Sequence, residues 1–293
     1  MNSTLKSCIL AARPKTLPAA IVPVWLGCVL AWKLEGVFDW WLAVCTLMGA
    51  VWIQIATNFF NDAIDNDKGA DTEHRLGPVR ATASGLLTRG QVYGAAVCCL
   101  AIAAVFGWFL FEARGWTMVA IGVPSLYLCY GYTGGPVPLA YRGLGELFVI
   151  LFFGVVAVMG TVFVQLGSWP EESLLLGLQV GLLSAVLISV NNLRDRVEDA
   201  GNGKNTLAVK LGEQWAMRVI LWELVGPFAL SLVWFMMGYP LLALGSLVYM
   251  GMGLVIWRSI KVEPPSAKYN KYLALAGMQL LLFAVSMTVV CVI

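Results

Sequence analysis

About nine long apolar runs constrain this chain more than any other feature, because about 20 mostly apolar residues are enough for a helix to cross a bilayer. They lie at 17–32, 39–60, 91–111, 116–132, 144–166, 173–192, 215–237, 239–257 and 271–292. The expected fold is all-α, a polytopic transmembrane helix bundle of about nine spans around a central cavity. The first and fourth runs are short and carry Pro18, Pro23 and Pro124, so kinked or tilted helices are expected there.

Composition agrees with a life in lipid. Hydrophobic residues make up 59% of the chain and charged residues only 12%, against about 25% charged in a soluble domain. The net charge of +2 is too small to suggest nucleic acid as a partner. Seven cysteines show no CxxC spacing and mostly lie inside apolar runs, so they read as buried free thiols. Residues 1–16 are polar and basic and lead straight into the first run, which is not the pattern of a cleaved signal.

Basic residues set the expected orientation. Of the 19 Lys and Arg, all but Lys33 and Arg114 fall on one side of the expected membrane. The positive-inside rule makes that side cytoplasmic. The N-terminus is then cytoplasmic, and an odd number of spans places the C-terminus outside. The expected location is the cytoplasmic (inner) membrane, with the active site facing the cytoplasm. One transmembrane domain is expected over residues 1–293, capped by long cytoplasmic loops at about 61–90 and 193–214.

Each of those loops opens on an acidic motif. The first holds Asn58, Asn61, Asp62, Asp65, Asp67 and Asp71; the second holds Asn191, Asn192, Asp195, Glu198 and Asp199. Carboxylates beside hydrocarbon are costly and are rarely incidental. If the ends of the second and sixth runs stay helical, Asn61 and Asp65 share a face at i, i+4, and Asn192, Asp195 and Asp199 share one at i, i+3 and i+7. Two such ends facing each other offer hard oxygen ligands suited to Mg²⁺ and a phosphorylated substrate. The candidate metal ligands are Asn61, Asp62, Asp65, Asp71, Asn192, Asp195 and Asp199, and Asn61, Asp65, Asn192, Asp195 and Asp199 are the candidate catalytic residues. Lys68, Arg75, Arg80, Arg194 and Lys204 are the candidate diphosphate ligands, Arg matching phosphate as a fork.

Other polar residues read as structural. Asp67, Glu73, Glu198 and His74 fit a solvated loop, and one histidine builds neither a zinc site nor a Ser-His-Asp triad. Glu223 lies inside the seventh run, where it is either functional or paired with Arg218.

Four segments then resemble the UbiA superfamily of intramembrane prenyltransferases, most closely its branch acting on 1,4-dihydroxy-2-naphthoate. They are Arg13-Pro14-Lys15-Thr16-Leu17-Pro18; Asn61-Asp62-Ala63-Ile64-Asp65 through Asp71 with Arg75-Leu76-Gly77-Pro78; Tyr132-Thr133-Gly134-Gly135-Pro136 with Gly143-Leu144-Gly145-Glu146; and Asn191-Asn192-Leu193-Arg194-Asp195 with Asp199 and Gly203-Lys204-Asn205-Thr206. They run from residue 13 to 212. The superfamily often has a further Asp four residues after Asp65; here Gly69 stands there and Asp71 follows, a shift similar to the naphthoate branch.

The resemblance implies a Mg²⁺-dependent transfer of a polyprenyl group from polyprenyl diphosphate to 1,4-dihydroxy-2-naphthoate, with loss of diphosphate and CO₂ to give a demethylmenaquinol. It implies the lipid bilayer as surroundings for the isoprenoid. Tyr130 and Tyr132 are candidates for stabilising the allylic cation, and Arg13 or Lys15 for holding the acceptor carboxylate. Two other readings are a sibling enzyme acting on 4-hydroxybenzoate or homogentisate, and a secondary transporter with an intramembrane cation path. Clustering of the carboxylates at one end, rather than at midplane, favours an enzyme.

Overall fold

Long apolar runs give helices, which satisfy their own backbone hydrogen bonds. The structure is a computed structural model describing residues 3–71 and 76–293, with side chains from Leu5 onward. The elements are α1 (Ser3–Ala12), α2 (Pro18–Glu35), α3 (Trp40–Asp67), α4 (Arg89–Arg114), α5 (Trp116–Gly131), α6 (Gly145–Val149), α7 (Ala157–Leu166), α8 (Glu171–Gly201), α9 (Leu207–Leu211), α10 (Glu213–Met236), α11 (Pro240–Gly245), α12 (Met250–Val262) and α13 (Tyr269–Val292). A π-helical stretch, Ile150–Val156, joins α6 to α7 without a break. The described chain is all-helical, as expected. Eight segments are long and apolar enough to cross a membrane, and α5, a ninth apolar segment, is shorter. Pro124 lies inside α5 and Pro23 inside α2.

The helix ends have identifiable causes. Asp39 caps α3, its Oδ1 accepting from the Leu42 amide at 3.0 Å. Thr88 and Gln91 form a capping box at the start of α4. At the opposite end of the bundle from the acidic motifs, Arg114 donates to the carbonyls of Val164 and Gln165 at the end of α7, and to that of Phe163, which also accepts from the Gly167 amide.

Two helices run further than the apolar pattern implied. α3 continues through Asp67 and α8 through Gly201. The first acidic motif is therefore helical through Asp67 and the second through Asp199, and the capping loops are shorter than the 61–90 and 193–214 read from sequence. The cause is local: 61–67 and 193–201 contain neither Pro nor Gly before the final Gly201.

Core packing fixes how the two extended helices meet. One apolar cluster joins α2, α7, α8 and α13 through Val22, Leu26, Val158, Val180, Leu183 and Phe283. A second joins α1, α3 and α4 through Ala11, Ala56, Phe59, Val92 and Ala96. Between the π stretch and α8 the backbones touch: a Cβ at Gly154 would lie 2.4 Å from both the Gly177 carbonyl oxygen and Gly181 Cα. Small residues of this kind let membrane helices approach closely. Some polar groups inside the bundle pair across helices, as hydrocarbon favours. Trp234 donates to Gln179 at 2.7 Å, and Gln179 donates to the Pro227 carbonyl inside α10.

Candidate active site

The end of α3 builds one half of the site. Asp65 is 3% exposed. Its Oδ2 accepts from Arg80 Nη2 at 2.9 Å and its Oδ1 from the Tyr141 hydroxyl at 2.9 Å. Arg80 also donates through Nε to Asp71 at 3.2 Å. Its remaining nitrogen, Nη1, is buried with no acceptor among the described residues. Thr133 donates to Asn61 Oδ1, and Lys68 donates to the Thr133 carbonyl at 2.7 Å. Lys68 Nζ also sits 3.8 Å above the Tyr141 ring.

The end of α8 builds the other half. Arg194 grips Asp195 through two bonds, Nε at 2.7 Å and Nη2 at 2.6 Å. It also donates to Asn270 and Asn191. Asn192 donates to Glu146 Oε1 at 2.8 Å, and Glu146 Oε2 is buried without a partner among the described residues.

Lys204 ties the halves together. Its Nζ lies 4.0 Å from Asp65 Oδ2 and 3.8 Å from Asp199 Oδ1. Asn202 reinforces the junction by donating to the Ala70 carbonyl at 3.1 Å. The two acidic helix ends thus meet around fixed positive charge. Burial pulls the Lys68 pKa below its ordinary value; Asp65 opposes that shift and Lys204 adds to it. Burial, then the neighbouring Asp65 carboxylate, pushes the Tyr141 phenol well above its ordinary value, so Tyr141 stays a donor.

An apolar cavity of about 450 Å³ adjoins this polar end. Aromatic rings lead into it. Tyr132 packs 5.2 Å from Phe148, which stacks on Phe152 at 4.8 Å and 24°. Phe148, Phe152 and Phe153 line the cavity, with walls from α2 to α5 and α7. The arrangement has a charged head and a hydrocarbon body, the shape of an isoprenoid diphosphate.

The remaining sequence candidates are placed as follows. Asp62 anchors the loop after α3: its oxygens accept from the Ala81 amide at 3.0 Å and from the Thr82 amide and hydroxyl at 2.8 and 2.5 Å. Arg194 is not positioned for diphosphate, because its guanidinium is committed to Asp195, Asn191 and Asn270. Asp71 holds Arg80 in place. Tyr130 is 40% exposed and packs edge-on against Phe60, away from the cavity wall. Lys15 is exposed. Arg13 is half-buried in a left-handed conformation between α1 and the turn Pro14–Thr16. Glu223 faces α8, accepting from Ser189 at 2.7 Å, while Arg218 lies over the Trp215 ring. Arg75, Glu73 and His74 lie outside the described residues.

Tyr141, Glu146 and Thr133 were not assigned site roles from sequence. Glu146 opens an apolar run, and that signal was available by the reasoning used for Glu223. Tyr141 carried none, since only the fold brings its hydroxyl to Asp65.

Comparison with known proteins finds similarity in both sequence and shape. The UbiA prenyltransferase family profile matches residues 20–285. A 1,4-dihydroxy-2-naphthoate octaprenyltransferase of Mycobacterium tuberculosis is 41% identical over 203 residues, covering 69% of this chain and 68% of that protein. One of Escherichia coli is 34% identical over 248 residues, covering 78% and 80%. A UbiA homolog from Archaeoglobus fulgidus, solved with DMAPP and Mg²⁺, superposes with a TM-score of 0.71 at 14% identity, over 98% of this chain and 99% of that one.

Proposed function

This chain belongs to the UbiA prenyltransferase family, and from that premise we propose that it transfers a polyprenyl group from polyprenyl diphosphate to 1,4-dihydroxy-2-naphthoate. Diphosphate and CO₂ are the other products, and the prenylated ring is a demethylmenaquinol. The observation that carries this reading is the meeting of two acidic helix ends around Lys204 and Arg80, next to an apolar cavity whose wall includes Thr57, one turn before Asn61.

The residues divide the work by chemistry. The isoprenoid tail runs from the cavity toward lipid and shares the cavity with the acceptor ring, and burial of its hydrocarbon is favourable by about 25 cal/mol per Å². Arg80 Nη1, a buried donor without an acceptor, and Lys204 and Lys68 face the diphosphate. Fixed positive charge aimed at a departing oxyanion lowers the barrier to ionisation. The C–O bond breaks with its electron pair leaving on diphosphate, and an allylic cation remains. Tyr132 and Phe148 offer ring faces that stabilise it until the electron-rich acceptor ring forms the new C–C bond.

Asn61, Asp65, Asn192, Asp195 and Asp199 are the residues that would hold Mg²⁺. Their hard oxygen chemistry fits that ion. Among the described residues no three acidic, histidine or cysteine side chains already converge as a ligand group. Basic side chains balance the carboxylates instead. When bound, Mg²⁺ would supply further positive charge to the leaving diphosphate.

Product analysis tests the acceptor. Membranes containing the protein, given polyprenyl diphosphate and a panel of hydroxyarenes, are expected to prenylate 1,4-dihydroxy-2-naphthoate with CO₂ release. Efficient use of 4-hydroxybenzoate with no naphthoate product would contradict the assignment. The site is further proposed to face the cytoplasm, from the bias in basic residues. Cysteines introduced at Lys68 and Lys204 are expected to label from the cytoplasmic side, and those at Glu112 and Glu171 from the other. Labelling of 68 and 204 from opposite sides would rule out a shared site.

A further inference from the structure

An isoprenoid chain donates no hydrogen bond, yet the cavity wall holds a buried acceptor with no donor. Gln54 is 6% exposed, lines the cavity, and has its Oε1 buried and unpartnered. The other hydroxyls on this wall are spent. Thr46, Thr57, Ser125 and Thr161 each donate to the carbonyl four residues earlier on their own helix. The Cys129 thiol donates to Ser125 in the same way. Among the described lining residues, Gln54 Oε1 is the one buried side-chain polar atom left over.

The orientation of that amide is set by its neighbours. Thr16 donates its hydroxyl proton to the Arg13 carbonyl. Asn58 donates Nδ2 to the Ala12 carbonyl at 2.8 Å and to Thr16 Oγ1 at 2.9 Å, so it turns its own Oδ1 toward Gln54. Gln54 must then offer Nε2 to Asn58 Oδ1 and Thr16 Oγ1, as it does at 3.3 and 3.2 Å. Flipping the amide would set oxygen against oxygen. The carbonyl is therefore held free by a network reaching from the segment after α1 to α3.

We infer that Gln54 Oε1 accepts a hydrogen bond from a ring hydroxyl of the aromatic acceptor within the apolar cavity. A hydroxylated aromatic ring is the ligand class that suits this wall. Its body is apolar, its faces match Phe148, Phe152 and Phe153, and its hydroxyl supplies the missing donor. The inference rests on the prenyl-transfer reading above and makes Gln54 a specificity-determining residue for the acceptor.

Competitive inhibition by acceptor analogues tests it. The probes are 1-hydroxy-2-naphthoate and 4-hydroxy-2-naphthoate, each missing one ring hydroxyl, in purified protein turning over polyprenyl diphosphate and 1,4-dihydroxy-2-naphthoate. In the unaltered protein the analogue that keeps the bonded hydroxyl is expected to bind about tenfold more tightly than the other. Gln54→Leu is expected to erase that ratio. It should raise KM for the acceptor about tenfold and leave KM for polyprenyl diphosphate unchanged. Gln54→Asn, which draws the carbonyl back by one methylene and keeps the amide, is expected to erase the ratio too, and it serves if the leucine variant does not accumulate. Retention of the ratio in the variants, no such ratio in the unaltered protein, or equal changes in both KM values, overturns the role of Gln54 while leaving the reaction standing. No turnover by the unaltered protein overturns the reaction, and this inference with it.

Discussion

Asp65→Asn and Asp195→Asn are each expected to slow prenyl transfer by about 10²–10³, the typical cost of losing one transition-state charge contact. Each change keeps the side-chain volume and removes one negative charge. Asp65 is the safer test of chemistry. Its asparagine still accepts from Arg80 or Tyr141, and Arg80 keeps its bond to Asp71. Asp195 carries a structural load as well, because Arg194 is buried against it. Breaking a buried pair by neutralising one member costs about 3–5 kcal/mol when nothing replaces it. Thermal midpoints measured beside the rates separate the two effects: Asp65→Asn should lose rate with little change in midpoint, and Asp195→Asn should lose both. Because the residues serve one charge cluster, the double variant should lose far less than the product of the two single losses. Asp67 is the control. Its carboxylate pairs with the exposed Arg89 and with Tyr93, so Asp67→Asn is expected to change the rate by no more than about twofold. Near-normal rates in both Asp65 and Asp195 variants would place the diphosphate elsewhere.

Gly154→Val is expected to have the largest effect on folding. The π stretch and α8 touch backbone to backbone there, and even a methyl group would overlap the Gly177 carbonyl and Gly181 Cα. Neither neighbour is a flexible side chain that could swing away. Overpacking in a well-packed interior costs about 1–3 kcal/mol and sometimes more, and here the obstacle is main chain. The displaced helix is α8, which carries Asn192, Asp195 and Asp199, so activity should fall with stability. Gly94→Ala, where an added Cβ meets nothing within 4 Å, is expected to leave the midpoint unchanged or raise it slightly. The measurement is thermal unfolding in detergent, with residual activity after heating. A Gly154→Val protein as stable as the Gly94→Ala control would mean that the helices do not approach as described.

Hydropathy made the bundle legible because the spacing of apolar runs is a one-dimensional property. So was the pairing of Asn61 with Asp65, and of Asn192 with Asp195 and Asp199, since helical periodicity puts them on shared faces. What stayed hidden depended on contacts between distant segments. Asp62 looks as acidic as Asp65, and only the return of Ala81 and Thr82 shows that it anchors a loop. Arg194 sits among the acids, and only the positions of Asn191 and Asn270 show that its donors are used up. Tyr141 becomes part of the site because the turn Leu139–Arg142 and the end of α3 meet in space. Gln54 was hidden for another reason. An unpaired oxygen is a statement about everything around it, and a lone glutamine in an apolar run reads as packing.

The central claim is that the two acidic helix ends ionise one polyprenyl diphosphate for transfer to an aromatic ring. The most direct measurement counts products from purified protein supplied with polyprenyl diphosphate, carboxyl-labelled 1,4-dihydroxy-2-naphthoate and Mg²⁺. Diphosphate, labelled CO₂ and prenylated naphthalenediol are expected in equal amounts, and all three should stop when the metal is chelated. Prenylated product that forms without diphosphate release, or at an undiminished rate without divalent metal, would contradict it.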